Sequence, residues 1–200
     1  LAEEGGVDMI LVGDTVGMVV LGYDSTVPVT MDDMLHHTKA VIRGTTKPLV
    51  VPDLPFMSYQ ASVEEAMRNA GRLMKEGGCQ AVKLEGGVHM AETVRRITQI
   101  GIPVVGHIGL TPQSVNQLSG YKVQGRTPEA AERLIEDAVA LQQAGAFAVV
   151  IVKQYAQVGE AMKVAIEQYG AEVRAGTFPS RRESFTMDKA VLAELTESIA

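Results

Sequence analysis

The chain alternates short apolar runs with longer segments in which apolar residues recur every three to four positions. The short runs continue through Val, Ile and Leu with few polar breaks, which is typical of buried parallel strands. We predict five strands, at residues 9–14, 48–53, 81–86, 103–109 and 146–152. The amphipathic segments predict helices, at residues 31–44, 62–78, 89–101, 127–145 and 159–176. This alternation indicates an α/β fold with a parallel sheet and crossover helices.

Four of the predicted strands carry, at or near their ends, a residue able to bind a metal ion or a substrate. Asp14 and Asp53 close the first two strands, Lys83 and Glu85 lie in the third, and His107 lies in the fourth. In a (β/α) barrel the carboxyl ends of the strands meet at one open face, where catalysis takes place. The pattern therefore predicts an enzyme, and a metal-dependent one.

The two aspartates are the first candidates for a metal site. Asp14 lies between Gly13 and Gly17, and a lone aspartate in such a turn is as often a cap of the next helix as a ligand. Asp53 lies between Pro52 and Pro55, which restrict the backbone and favour the functional interpretation. Mg²⁺ prefers oxygen ligands and commonly takes one or two carboxylates, so this pair would suffice.

Lys83 and Glu85 share one face of their strand, because side chains in a strand alternate. Two opposite charges facing inward must pair or bind something, so a structural ion pair is the alternative to a substrate site. In the functional interpretation Lys83 holds a carboxylate or keto oxygen and Glu85 reaches a metal directly or through water. His107 alone would be a weak signal, but its place at a fourth strand end favours function.

Composition narrows the classes of partner. A net charge of −6 leaves no basic field for nucleic acid, and no apolar stretch has the roughly 20 residues of a membrane span. A single cysteine, Cys79, excludes an internal disulfide and fits a reducing compartment, so we expect a cytoplasmic protein. Dinucleotide-binding, P-loop and serine-hydrolase motifs are absent from the sequence.

The number of strands is too small for a closed barrel, which needs eight. After VVIV at residues 149–152 the sequence passes directly into KQYAQVGEAMKVAIEQYG, an amphipathic helix, without the usual connecting loop. We therefore predict one (β/α) barrel domain over residues 1–200 that lacks a first strand before Leu1 and a segment between Val152 and Lys153.

Several long motifs together resemble the ketopantoate hydroxymethyltransferase family. They are VGDTVGMVVLGYDSTVPVTMDDMLHHTKAV, PDLPFMSY, VKLEGG and GHIGLTPQSVNQLSGYKVQG, and the similarity resumes in the tail KQYAQVGEAMKVAIEQYGAEVRAGTFPSRRESF. The resemblance implies a (β/α)8 TIM barrel of the phosphoenolpyruvate/pyruvate superfamily, Mg²⁺, and a decamer. It also implies hydroxymethyl transfer from 5,10-methylenetetrahydrofolate to the α-keto acid 3-methyl-2-oxobutanoate, in pantothenate biosynthesis.

The resemblance also implies roles for individual residues. Asp14, Asp53 and Glu85 match the metal-site acids of the family, and the two aspartates also belong to the substrate site. Thr15, Lys83 and His107 match groups that contact the keto acid. The general base of the family is a glutamate in a segment resembling LExVP after the sixth strand; this chain has Lys153 after Val152, so no catalytic residue can be assigned. Two alternatives stay open: another Mg²⁺-dependent α-keto acid lyase, or a truncated, non-catalytic assembly module.

Overall fold

A computed structural model describes residues 1–117, 120, 124–150, 158–180 and 182. The chain divides into two compact units, Leu1–Ile151 and Val152–Ala200. The first unit contains the strands and the candidate site, and the second contains one described helix. The predicted gap between residues 152 and 153, and most of the tail after residue 180, lie outside the described residues.

All five predicted strands are confirmed, with shorter bounds. They are β1 (Met9–Val12), β2 (Leu49–Pro52), β3 (Val82–Glu85), β4 (Val104–His107) and β5 (Ala148–Val150). Every pairing is parallel: β1 pairs with β2, and β3, β4 and β5 form a second sheet in that order. Strands that are consecutive in sequence lie beside one another. This order is expected when each crossover helix returns the chain to the amino end of the previous strand.

One parallel bridge joins the two sheets at their carboxyl ends. Asp53, directly after β2, pairs with Lys83 of β3, and the Leu54 N–H donates to the Lys83 carbonyl over 2.8 Å. Nearer the amino ends, the Gln80 side-chain oxygen accepts from the Val50 N–H at 3.1 Å. The Gln80 backbone N–H also donates to the Val50 carbonyl, at 3.4 Å, so side chain and backbone together link the two strands here.

The predicted helices are also confirmed. They are α2 (Met31–Arg43), α3 (Val63–Arg72), α4 (Ala91–Gln99), α5 (Pro128–Gln143) and α6 (Val158–Arg174), and a four-residue helix α1 (Val16–Val19) precedes them. Polar caps explain where three of them begin. The Thr30 hydroxyl accepts from the Asp33 N–H in a capping box, Ser62 caps α3 in the same way, and Thr127 caps α5 just before Pro128.

The core lies between the strands and the helices that cover them. Val50, Val82, Leu84 and Val104 on the strands are at most 1% exposed and belong to one cluster of buried apolar side chains. By contrast, apolar side chains on β1 stay partly open: Met9 is 39% exposed and Leu11 is 45% exposed. The outer strand therefore has an apolar face that the described chain leaves uncovered.

The closed barrel predicted from sequence is not seen in the part of the chain that is described, which shows five parallel strands in two sheets. In the second unit, the ring of Phe178, in the segment after α6, packs edge to face on Tyr169 of α6. Within the described ranges, no helix has the length and apolar character needed to cross a bilayer.

Candidate active site

Six buried polar side chains gather where β1, β2, β3 and β4 end. Five of them were predicted from sequence, namely Asp14, Asp53, Lys83, Glu85 and His107, and each is at most 5% exposed. The sixth, Gln113, belongs to a single 3₁₀ turn, Pro112–Ser114, in the segment after β4. Their common position follows from the parallel register, which aligns Glu85 with His107 and brings Asp53 beside Lys83.

Asp53 and Lys83 form a buried ion pair. The Lys83 Nζ lies 2.7 Å from Asp53 Oδ1, and both side chains are 3% exposed. The other carboxylate oxygen, Oδ2, accepts the backbone N–H of Asp14 at 2.9 Å. The Lys83 ammonium thus holds Oδ1, and a backbone N–H holds Oδ2. Burial raises the pKa of Asp53, and the nearby ammonium opposes that shift.

Asp14 lies beside Asp53 and does not cap a helix with its side chain. Its Oδ2 accepts from the Gln113 Nε2 at 2.8 Å, whereas the residue at the start of α1 is Thr15. Burial, reinforced by the neighbouring Asp53 carboxylate, raises the pKa of Asp14 to about 7. A nearby cation would stabilise the ionised form of Asp14, because a positive charge offsets both the burial of the carboxylate and its repulsion by Asp53.

Glu85 has hydrogen-bond partners for both oxygens. Oε1 lies 3.2 Å from His107 Nδ1, and Oε2 accepts the backbone N–H of Gln113 at 3.0 Å. His107 Nδ1 is also 3.4 Å from Lys83 Nζ. The shorter contact is to the carboxylate, which favours the tautomer with the proton on Nδ1 donating to Glu85. Lys83 and Glu85 therefore do not pair with each other: each has its own partner.

Thr15 differs from the other predicted residues because it is exposed. It follows Asp14 directly in the sequence. Gly13 lies close to two polar groups of the site. A Cβ at this position would lie 2.8 Å from Thr15 Oγ1 and 3.7 Å from Asp53 Oδ2. Glycine therefore allows the backbone to approach both polar groups closely.

Two residues of the site were missed by reasoning from sequence. Gln113 contacts both Asp14 and Glu85, and Tyr59 donates from its hydroxyl to Gln113 Oε1 at 2.7 Å. Neither residue type signals chemistry by itself, and neither lies at the end of a predicted strand. The only available signal was that both fall in the quoted motifs PDLPFMSY and GHIGLTPQ.

The donor set suits a divalent cation in charge and chemistry. Three carboxylates against one ammonium leave two negative charges, counting His107 as neutral, in a buried cluster. Carboxylate oxygens are the type of ligand that Mg²⁺ prefers, and Asp14 and Asp53 bring two carboxylates to neighbouring positions. Across the described ranges, however, no three His, Cys, Asp or Glu side chains are already arranged around one point. The two aspartates could hold such an ion with water or substrate in its remaining positions.

Sequence comparisons identify the family of the chain. The family Ketopantoate hydroxymethyltransferase matches residues 1–152. A 3-methyl-2-oxobutanoate hydroxymethyltransferase of Dehalococcoides mccartyi (strain CBDB1) is 48% identical over an alignment that covers 100% of this chain and 89% of the relative. The protein of the same name from Carboxydothermus hydrogenoformans is 47% identical, covering 97% and 88%, and that from Syntrophus aciditrophicus is 48% identical, covering 92% and 86%. The family expected from the sequence motifs is thereby confirmed, and the chain belongs to the ketopantoate hydroxymethyltransferase family.

Proposed function

We propose that this chain transfers a hydroxymethyl group from 5,10-methylenetetrahydrofolate to 3-methyl-2-oxobutanoate, giving ketopantoate for pantothenate biosynthesis. The relatives whose alignments cover the whole chain carry the name of this activity. The observation that carries the proposal is the buried cluster of Asp14, Asp53, Lys83, Glu85 and His107, whose net negative charge needs a cation and whose single ammonium suits an anionic substrate.

Mg²⁺ is the cofactor that fits this cluster. Asp14 and Asp53 would bind it through their carboxylate oxygens, and Glu85 would reach it through water, because both Glu85 oxygens already accept hydrogen bonds. When bound, such an ion supplies a Lewis acid for the carboxylate and keto oxygens of the substrate. Charge balance supports this assignment, since a 2+ ion neutralises the cluster.

Lys83 has the clearest role among the protein groups. Removing a proton from the carbon next to the keto group moves negative charge onto the keto oxygen, and an ammonium close to that oxygen offsets it. The carbon then forms a bond to the methylene carbon of the folate. Both bonds from that carbon to folate nitrogens break, water supplies the hydroxyl group, and the two nitrogens take up the substrate proton and the remaining water proton. Lys83 is held in place by Asp53 at 2.7 Å and is therefore pre-oriented before substrate binds.

Thr15 and His107 complete the expected substrate contacts. The exposed Thr15 hydroxyl lies next to Asp14 and can donate to a substrate carboxylate. His107 is fixed by Glu85 through Nδ1, which leaves Nε2 as an acceptor for a hydroxyl or a bound water. Both residues would set the orientation of the keto acid.

The proposal includes a closed (β/α)8 barrel and a general base, and both depend on the same segment of the chain. The alignment with the Dehalococcoides protein extends over 248 positions, about 48 more than the 200 residues of this chain, although it covers the chain completely. The family match ends at residue 152, where the sequence analysis expects a missing segment. We propose that this segment carries two further strands and the general base, in one domain with the rest of the chain.

The activity is tested by measuring ketopantoate formation by mass spectrometry, with Mg²⁺ and with or without methylenetetrahydrofolate. Asp53→Asn should lower turnover at least ~100-fold, because it removes a metal ligand and the partner of Lys83. Asp24→Asn is the matched control, since Asp24 is exposed and close in sequence to Asp14.

Three outcomes would count against the proposal. Product formed without the folate would indicate a lyase acting on the keto acid alone. An Asp53→Asn variant as active as the control would remove the proposed metal role. No product from a folded chain that binds Mg²⁺ would indicate a non-catalytic module.

A decameric assembly in the cytoplasm is the expected state of the active protein. Cys79 is buried and unpaired, which suits a reducing compartment. Exposed apolar side chains on and after α1, with Val19 at 78% and Val20 at 64%, provide a surface that an assembly would bury.

A further inference from the structure

We infer that Gln113 is a positioning residue for the proposed metal site: its amide and backbone N–H hold Asp14 and Glu85 in fixed orientations. The inference deepens the proposed function and rests on it. It starts from the observation that Gln113 contacts two of the three acids, although it comes from a different segment than either of them.

The amide of Gln113 has partners on every side. Its Nε2 donates to Asp14 Oδ2 at 2.8 Å and to the Leu54 carbonyl at 2.9 Å. Its Oε1 accepts from the Tyr59 hydroxyl at 2.7 Å and from Gln60 Nε2 at 3.1 Å. Both amide hydrogens and both lone pairs are therefore used, and the side chain has one favourable orientation.

The neighbours also determine which end of the amide faces Asp14. The Leu54 carbonyl can only accept, so the nitrogen must point toward it and toward Asp14. The Tyr59 hydroxyl lies 2.7 Å from the Gln113 oxygen and 3.3 Å from the Glu85 carbonyl, so the amide oxygen is its closer acceptor. A flipped amide would lose the hydrogen bond to the Leu54 carbonyl and would place an oxygen against Asp14 Oδ2.

This arrangement fixes one oxygen of Asp14 and leaves the other for a cation. Oδ2 is held by Gln113, and no described group donates a hydrogen bond to Oδ1. A neutral amide can fix the carboxylate without competing with a metal for its charge, which an ammonium or guanidinium would do. Groups that orient metal ligands in this way typically contribute 10- to 100-fold to metal affinity.

The same residue couples Asp14 to Glu85. The Gln113 N–H donates to Glu85 Oε2 while its side chain donates to Asp14, so one turn links acids that follow different strands. Lys83 forms its ion pair with Asp53 and with neither of these two acids. Displacing the 3₁₀ turn would therefore disturb both acids together.

The test measures the Kd for Mn²⁺, as a paramagnetic substitute for Mg²⁺, by EPR with the full chain in the absence of substrates. Gln113→Glu has the same shape, but it replaces the donor facing Asp14 with a carboxyl oxygen. Gln113→Met keeps the length and removes all hydrogen bonding. We expect both variants to bind Mn²⁺ at least ~10-fold more weakly than wild type. Gln60→Met is the matched control, because Gln60 contacts the same amide but neither acid, and it should stay within ~2-fold.

Thermal unfolding separates positioning from a merely structural role. If Gln113 only supported the fold, Gln113→Met would lower the melting temperature while the folded protein bound Mn²⁺ as tightly as wild type, and the inference would be overturned. If wild type binds Mn²⁺ and makes ketopantoate while both Gln113 variants keep full affinity, only the inference fails. If wild type itself binds no Mn²⁺, the proposed function loses its metal and the inference fails with it.

Discussion

At the scale of single residues, the raised pKa of Asp14 links the stability of the protein to pH. Its ordinary value is 3.8, and in the folded chain burial and the Asp53 carboxylate raise it to about 7. Between these values the folded state holds a proton that the unfolded state has lost, so stability falls as pH rises from about 4 to 7 and stays reduced above that.

Asp14→Asn should remove this dependence. The amide oxygen can still accept from Gln113, and no charge has to be buried, so we expect the variant to gain about 1–3 kcal/mol over wild type at pH 8 and little at pH 4. Urea unfolding at pH 4, 6 and 8 measures the difference. Saturating Mg²⁺ should reduce the gain by stabilising wild type alone. The same pH slope in both proteins would contradict this prediction.

Lys83→Met should destabilise the fold because it leaves Asp53 buried without its cation. Removing one partner of a buried pair costs about 3–5 kcal/mol, and the loss should shrink at pH 5, where Asp53 can take up a proton more easily. Combining it with Asp53→Asn should recover part of the loss, as measured by urea unfolding at both pH values. Lys75→Met is the control, since Lys75 is exposed and should change stability by less than about 0.5 kcal/mol.

The residues that sequence reasoning selected are charged or titratable groups at strand ends, because such groups are rarely buried without a reason. This principle found the five buried members of the cluster, whose chemical roles remain predictions. It could not find Gln113 or Tyr59, since neutral polar residues in a loop are ordinary in composition. Nor did it predict the partner of Lys83, because the bridge to Asp53 depends on the relative position of two strands.

At the scale of elements, helix α5 packs against strand β4 at a glycine. A Cβ at Gly106 would lie 2.5 Å from Leu141 Cδ1, and Leu141 is fully buried. Gly106→Ala should therefore cost about 1–3 kcal/mol, because the helix must shift or Leu141 must leave its rotamer. Equilibrium unfolding in urea measures this loss.

A double variant tests whether the contact causes the loss. Leu141→Ala alone should cost about 2–5 kcal/mol by leaving a cavity. In the double variant Gly106→Ala, Leu141→Ala the added methyl group has room. The double variant should therefore lose less stability than the sum of the two single losses. Strict additivity would show that the strain at Gly106 has another origin.

The strands and long helices followed from hydrophobic periodicity because their burial repeats along the sequence. The way in which α3 ends could not be predicted from this periodicity. After Arg72 the helix continues as a π-helical turn, Leu73–Gly77, and stops at Gly78 with φ of +81°. A widened turn keeps the same apolar spacing, so periodicity cannot distinguish it from regular helix. The helix α1 was missed because four residues are too short to show a period.

At the scale of the whole molecule, we expect the natural coding sequence to contain about 48 further residues between positions 152 and 153. The basis is the excess of 248 alignment positions over 200 residues. Sequencing the gene across this junction and measuring the intact mass of the native protein both test the expectation. A continuous reading frame from 152 to 153 and a mass of 21.4 kDa would contradict it.

The bridge between Asp53 and Lys83 joins the two sheets and also forms the central ion pair of the site. This double role affects how the two positions change during evolution. A lineage that no longer needed the reaction would still lose fitness by changing either residue, since the protein would become harder to keep folded in the cell. These two positions should therefore change more slowly in evolution than Thr15, which is exposed and for which only a substrate contact is proposed.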